Sequence, residues 1–222
     1  MDMELTAEQE MLVDAVRGTT AKWRTMPDGH ERDYSYYADD LQKALANGGF
    51  LRAGLDMGML EAALVVMEVS QLPVATSIGA SAIVAPTVMG DVPDGPIALI
   101  EGDGSKAQRL LGVARHALAA RGDDVVLLDM DGVETEPVDS IYAYPYARFA
   151  SAPDWSKAQV VGKNAALVLQ QWRRVALAAE MAGAAAAGTA LTVEHVKERT
   201  VFGKPIGTFQ AVQHRLAQCH QI

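Results

Sequence analysis

Arg199, Phe202, Phe209 and Gln210 fall within one short run near the C-terminus, Arg199-Thr-Val-Phe202-Gly203-Lys204-Pro205-Ile206-Gly207-Thr208-Phe209-Gln210-Ala211-Val212-Gln213-His214. An arginine at the last turn of a helix complements the helix dipole, and its guanidinium can also reach outward to bind a pyrophosphate bidentately. The Gln210 amide can donate to a phosphate or accept from a ribose hydroxyl. Phe202 and Phe209 flank the turn, where their rings suit either a flat aromatic ligand or a hydrophobic clasp. Arg199 has a plain alternative as well, that of a helix cap. Gly203 and Gly207 admit backbone angles closed to other residues, and Pro205 stiffens the turn between them.

The remaining candidates are blander. His30, His116, His195, His214 and His220 show no ligand spacing, and His214 and His220 stand on different faces of a helix. Glu101-Gly102-Asp103-Gly104-Ser105-Lys106 has the wrong spacing for a phosphate-binding P-loop and reads as a solvated turn. Cys219, the single cysteine, rules out an internal disulfide, gives no metal spacing and reads as a small buried residue. Glu180 reads as a helix-surface or packing residue.

The elements that must position the C-terminal run are largely helical. Leu5-Thr6-Ala7-Glu8-Gln9-Glu10 opens with a capping box, Thr6 as N-cap and Gln9 three residues on, and apolar residues follow at helical spacing to Trp23. Further helices are expected from Tyr37 to Leu45, stopped by Asn47-Gly48-Gly49, and from Leu60 to Val69. A fourth, from Ala75 to Met89, is expected to break near Pro86. Gly90-Asp-Val-Pro-Asp-Gly-Pro96 is a dense turn signal and the candidate domain boundary. Short apolar runs at Ile97–Ile100 and Val125–Met130 then predict strands, with Asp131-Gly132 as a hairpin signal. Asn164 to Thr200 lacks proline and predicts one unbroken helix of about 50 Å. Its small residues, Ala178, Ala179, Ala182, Gly183, Ala184–Ala187 and Gly188, suit a packed bundle or a subunit interface.

The run from Arg199 to His214 resembles a signature of the acyl-CoA dehydrogenase family, in which a helical hairpin sets an arginine and a glutamine against FAD held mainly by the neighbouring subunit. The opening Leu5–Leu12 resembles that family's first helix, and Leu127-Leu128-Asp129 with Tyr142–Phe149 faintly resembles the end of its middle domain. The resemblance implies a mainly α fold with a small central β domain: an N-terminal helical domain over 1–90, a reduced β-rich middle domain over 91–160, and the start of an incomplete C-terminal helical bundle over 161–222. It also implies Arg199, Phe202, Phe209 and Gln210 as FAD contacts. The reaction it implies is the α,β-dehydrogenation of an acyl-CoA thioester in lipid metabolism: a carboxylate takes the α-proton, FAD takes the β-hydride, and an electron-transfer flavoprotein reoxidises the flavin.

Two departures stand out. In one branch of the family the catalytic carboxylate lies early on the long helix, but here Leu169-Gln170-Gln171-Trp172-Arg173-Arg174 offers none, and Glu180 is about two turns on. The commoner position for the base follows residue 222. Residues 91–160 also lack a convincing match to the family's loop and Trp-Ser/Thr segment that hold the flavin ring. The implied alternative is a non-catalytic structural partner that completes the FAD site of a hetero-oligomeric acyl-CoA dehydrogenase. Half a bundle would expose a wide apolar stripe, so either partners cover it or the sequence is a fragment.

Composition sets the outer bounds. The chain has 222 residues, half of them hydrophobic, enough for a sizeable core. Its net charge is −9, unevenly spread: residues 1–150 carry 11 Lys and Arg against 24 Asp and Glu, residues 151–222 carry 8 against 4. An acidic surface repels nucleic acid, while the basic C-terminal part suits an anionic ligand. Charges interrupt each apolar run short of a membrane span, and the acidic N-terminus lacks the features of a secretory signal. A cytoplasmic homo- or hetero-oligomer is the expectation.

Overall fold

A computed structural model describes residues 4–220; readings that touch the residues beyond these limits lie outside the described part. Helix α1 (Ala7–Thr20) starts on the expected capping box. Thr6 Oγ1 accepts from the Gln9 N–H at 3.3 Å, and the Thr6 N–H donates to Gln9 Oε1 at 3.0 Å. Helix α2 (Asp39–Asn47) begins two residues later than its apolar pattern suggests and stops at Gly48, with Gly49 at φ +77°. A short turn of helix, α3 (Ala53–Asp56), leads into α4 (Met59–Val69), which packs on α1.

The expected break near Pro86 does not occur. Helix α5 (Ala80–Met89) runs through it, because Ala80–Val84 are wound as a π-helix. Proline lacks an N–H and crowds the carbonyl four residues back, and the wider π turn makes room for it. The Thr87 hydroxyl, at 3.0 Å from Ile83 O and 2.8 Å from Val84 O, donates to these carbonyls near the bulge. Gly54 lies over Ala82 O, where an added Cβ would stand 2.7 Å away.

Strands β1 (Ile97–Ile100) and β3 (His116–Arg121) pair in parallel; β4 (Asp124–Asp129) and β7 (Gln159–Gly162) extend the sheet antiparallel in the order β1-β3-β4-β7. A second antiparallel sheet has the order β2-β6-β5, from β2 (Gln108–Arg109), β5 (Thr135–Val138) and β6 (Tyr146–Phe149). The Asp131-Gly132 hairpin is not formed. Gly132 does turn at φ +72°, but β4 before it and β5 after it join different sheets. The tight hairpin is instead β3–β4, closed by Gly122-Asp123 with Gly122 at φ +61°. Alternation along the larger sheet splits the core. Ile97, Leu118 and Val125 join the helices, while Ala98, Ile100, Ala117, Ala119, Val126 and Leu128 face the smaller sheet with Ala147 and Phe149.

Helix α6 (Ala166–Glu198) has 33 residues, about 50 Å. Its start is tied to the β3–β4 turn: the Ala166 N–H donates to Asp123 O at 3.0 Å and the Asn164 N–H to Asp124 Oδ1 at 2.9 Å. It crosses α4 at Gly183, where a Cβ would strike the Met67 carbonyl. Among the described residues α6 is long and apolar enough to cross a membrane, which corrects the expectation that no run reaches that length. Alanine and glycine supply this apolarity, and the helix spends one face on α4, α5 and the sheet. The other face leaves Leu167, Val175, Leu177, Met181 and Leu191 exposed, along with most of the alanines.

Candidate functional site

Helix α6 stops because Arg199 turns extended, at φ −68° and ψ 119°, so this residue caps the helix from just beyond its last turn. Its N–H still donates to His195 O, and its carbonyl accepts from the Ile206 N–H, both at 2.9 Å. Between these bonds Thr200–Val201 (β8) pairs with Lys204–Pro205 (β9). The turn joining them is Phe202-Gly203, with φ +53° and +79°. Two left-handed residues in succession match the strand twist of a tight hairpin; glycine takes this geometry freely, whereas a bulky aromatic is strained. Gly207 tucks against α6, where a Cβ would lie 3.0 Å from Val196 O. The Thr208 hydroxyl donates to Pro205 O at 2.7 Å and Gln213 Nε2 to Gly207 O at 2.9 Å, fixing the entry into α7 (Gln210–His220).

This scaffold brings the four predicted residues to one end of α6 and leaves Arg199, Phe202 and Gln210 exposed. Among the described residues neither the Arg199 guanidinium nor the Gln210 amide has a partner. Phe202 is 91% exposed, so the clasp across the turn is not formed. Phe209 is half-buried, with Lys204 Nζ 4.6 Å from its ring centroid. Cys219 is exposed rather than buried. Such an edge can bind an anion through Arg199 and a hydroxyl or phosphate through Gln210, with an aromatic face beside them.

A second polar centre lies inside the molecule, and its cation escaped the sequence reading. Glu180, on the buried face of α6, accepts two hydrogen bonds from Arg109 of β2: Nη1 to Oε2 at 2.7 Å and Nη2 to Oε1 at 3.0 Å. The Arg109 guanidinium lies 4.3 Å from the Tyr144 ring centroid. Burial alone would pull its pKa down, but attraction and hydrogen bonding to Glu180 outweigh this and hold it above its ordinary value. Burial, reinforced by the Glu180 charge, pushes the Tyr144 hydroxyl up. Glu180 is the lone charge between Arg174 and Glu194, so it needed a cation; only the fold shows that the cation comes from position 109. Nearby, Arg173 Nη2 meets Glu101 Oε1 at 2.7 Å. The Glu101–Lys106 loop is a turn, with Asp103 Oδ1 accepting from the Ser105 N–H and hydroxyl, which lower the Asp103 pKa.

The hairpin closing a long helix, behind a small two-sheet layer and an N-terminal helical layer, defines the class: this chain has the acyl-CoA dehydrogenase fold, and residues 162–222 match the family model "Acyl-CoA dehydrogenase, C-terminal domain". Acyl-CoA dehydrogenase IpdE2 of Mycobacterium tuberculosis is 52% identical over 46 residues, which are 21% of this chain and 14% of that protein's length. Among solved structures, a chain of the ChsE4-ChsE5 complex from Mycobacterium tuberculosis superposes with a TM-score of 0.74 at 20% identity, covering 98% of this chain and 74% of that one. Butyryl-CoA dehydrogenase from Megasphaera elsdenii gives 0.67 at 18% identity, covering 100% and 77%.

Proposed function

We propose that this chain is an acyl-CoA dehydrogenase-like subunit that contributes the Arg199–Gln210 side of an FAD site, completed across a subunit interface. The observation that carries this reading is the pair of polar groups, guanidinium and amide, that are exposed and have no partner among the described residues at one end of α6. These residues fit the phosphate and ribose part of a dinucleotide. Arg199 would hold the pyrophosphate, Gln210 would hydrogen-bond the adenosine end, and Phe202 with Phe209 would flank them. When bound, the flavin would supply the two-electron acceptor for the β-hydride of an acyl-CoA thioester while a carboxylate base takes the α-proton, with an electron-transfer flavoprotein as the flavin's oxidant. The exposed apolar face of α6 supports an oligomer. A cytoplasmic setting and a role in lipid metabolism complete the reading, with 1–90, 91–160 and 161–222 as its three units.

A partner subunit of the same fold, rather than a second copy, is favoured by Glu180. This carboxylate, about two turns beyond the early-helix position, is tied at both oxygens to Arg109 and is not free to take a proton, which fits a partner that supplies the base. Flavin absorbance and native mass decide between the assemblies. Flavin that appears only when a second dehydrogenase-like chain is present supports the heteromer; one FAD per protomer in a homo-oligomer refutes it. An Arg199→Ala variant that keeps full flavin occupancy in the assembled protein would defeat the site assignment in either case.

A further inference from the structure

Where α5 and α6 meet β1 and β2 lies a cavity of about 300 Å³. Ala80, Ile97, Leu99, Leu110, Ala176 and Leu177 give it apolar walls. Junctions between layers are where ligand cavities form, and walls of this kind suit a hydrocarbon chain. Arg109 and Glu180 line the same cavity, side chains 27% and 6% exposed, bonded to each other through both carboxylate oxygens. Two features show that the pair is built into the site. Gly79 leaves space for the carboxylate, since a Cβ there would collide with Glu180 Oε1 and press on Ala176 Cβ at 3.3 Å. The half-buried Tyr144 ring covers the guanidinium from the other side.

A hydrocarbon chain entering this cavity must lie against two charges. It would also strip the water that still reaches Arg109 while offering no hydrogen bond in exchange. We propose that the Arg109–Glu180 ion pair is the specificity determinant of this cavity and excludes an apolar acyl chain from it. Resting on the proposed role in an acyl-CoA dehydrogenase assembly, this puts the acyl group in the partner subunit's cavity and leaves this chain the cofactor edge alone.

The test is calorimetric titration of octanoyl-CoA and of free CoA into the 222-residue chain and into the double variant R109M/E180L. Replacing both partners of a buried pair by apolar side chains of similar size generally keeps the fold. The native chain is expected to show no preference for octanoyl-CoA over free CoA, whether it binds both equally or neither. The folded double variant is expected to prefer octanoyl-CoA by about tenfold or more, the gain from burying a few methylenes. A native chain that already prefers octanoyl-CoA by about tenfold overturns the proposal, and so does a folded double variant with no gain. If that variant does not fold, the native ratio decides alone. Flavin occupancy of the Arg199→Ala assembly is read separately, so failure of the cofactor reading is not confused with failure of this one.

Discussion

Phe202 combines a left-handed backbone with a ring that is 91% exposed, so little burial among the described residues repays the strain. Phe202→Gly removes strain of about 1 kcal/mol and adds back a similar chain entropy to the unfolded state, so stability should stay within about 0.5 kcal/mol of the parent. Urea denaturation reads this directly. A loss above about 1 kcal/mol would show that the ring is held in the isolated chain after all. The same variant should lower flavin retention if the ring flanks the cofactor. Arg199→Ala should likewise leave the urea midpoint almost unmoved, since the guanidinium has no partner among the described residues, while flavin is lost from the assembled protein. These positions were readable in the sequence because everything that places them is local: Gly203, Pro205 and Gly207 shape the turn within a few residues of the groups they carry. Arg109 was not readable, since its partner stands 71 residues away and the strand that presents it is two residues long.

Helix α6 shows how one composition can serve two purposes. Gly183 and Gly188 lie five residues apart in the same alanine-rich stretch, yet only Gly183 meets another element. Gly183→Ala drives a methyl into the Met67 carbonyl and should cost about 1–3 kcal/mol as α4 and α6 are forced apart. Gly188→Ala meets nothing within 4 Å and should stabilise the helix by about 1 kcal/mol. Paired denaturant melts check both, and equal effects would contradict the crossing described above. Small residues announced close packing in the sequence, but not which of them made the contact, because only one face of α6 is buried. The helix through Pro86 was misjudged for a related reason: a proline signals a break unless the turn before it widens, and that widening depends on how α5 packs over Gly54. The Asp131-Gly132 signal identified a real turn, but which strands a turn connects is settled by distant pairing.

Across the whole chain, sheet and helical layers are joined by a buried charge pair. Glu180→Ala strands Arg109 in a mostly buried place and should cost about 3–5 kcal/mol, whereas the double replacement R109M/E180L should fall within about 1–2 kcal/mol of the parent or exceed it. A double-mutant cycle on urea midpoints tests this, and additive single effects would argue against coupling. The order of helices, short strands and long helices was visible in the sequence, because periodicity is local. How the layers dock was not, since it rests on contacts between residues far apart in sequence, from the shared apolar core to this pair. From Glu180 to Arg199 the chain rises 19 residue steps along the helix, about 28 Å, reaching from the sheet to the hairpin. Helix α6 is therefore a lever whose fulcrum is the ion pair, and a tilt of one degree there carries the Arg199 guanidinium through about half an ångström. A site that tolerates an error of about 0.5 Å leaves the sheet almost no freedom to rock.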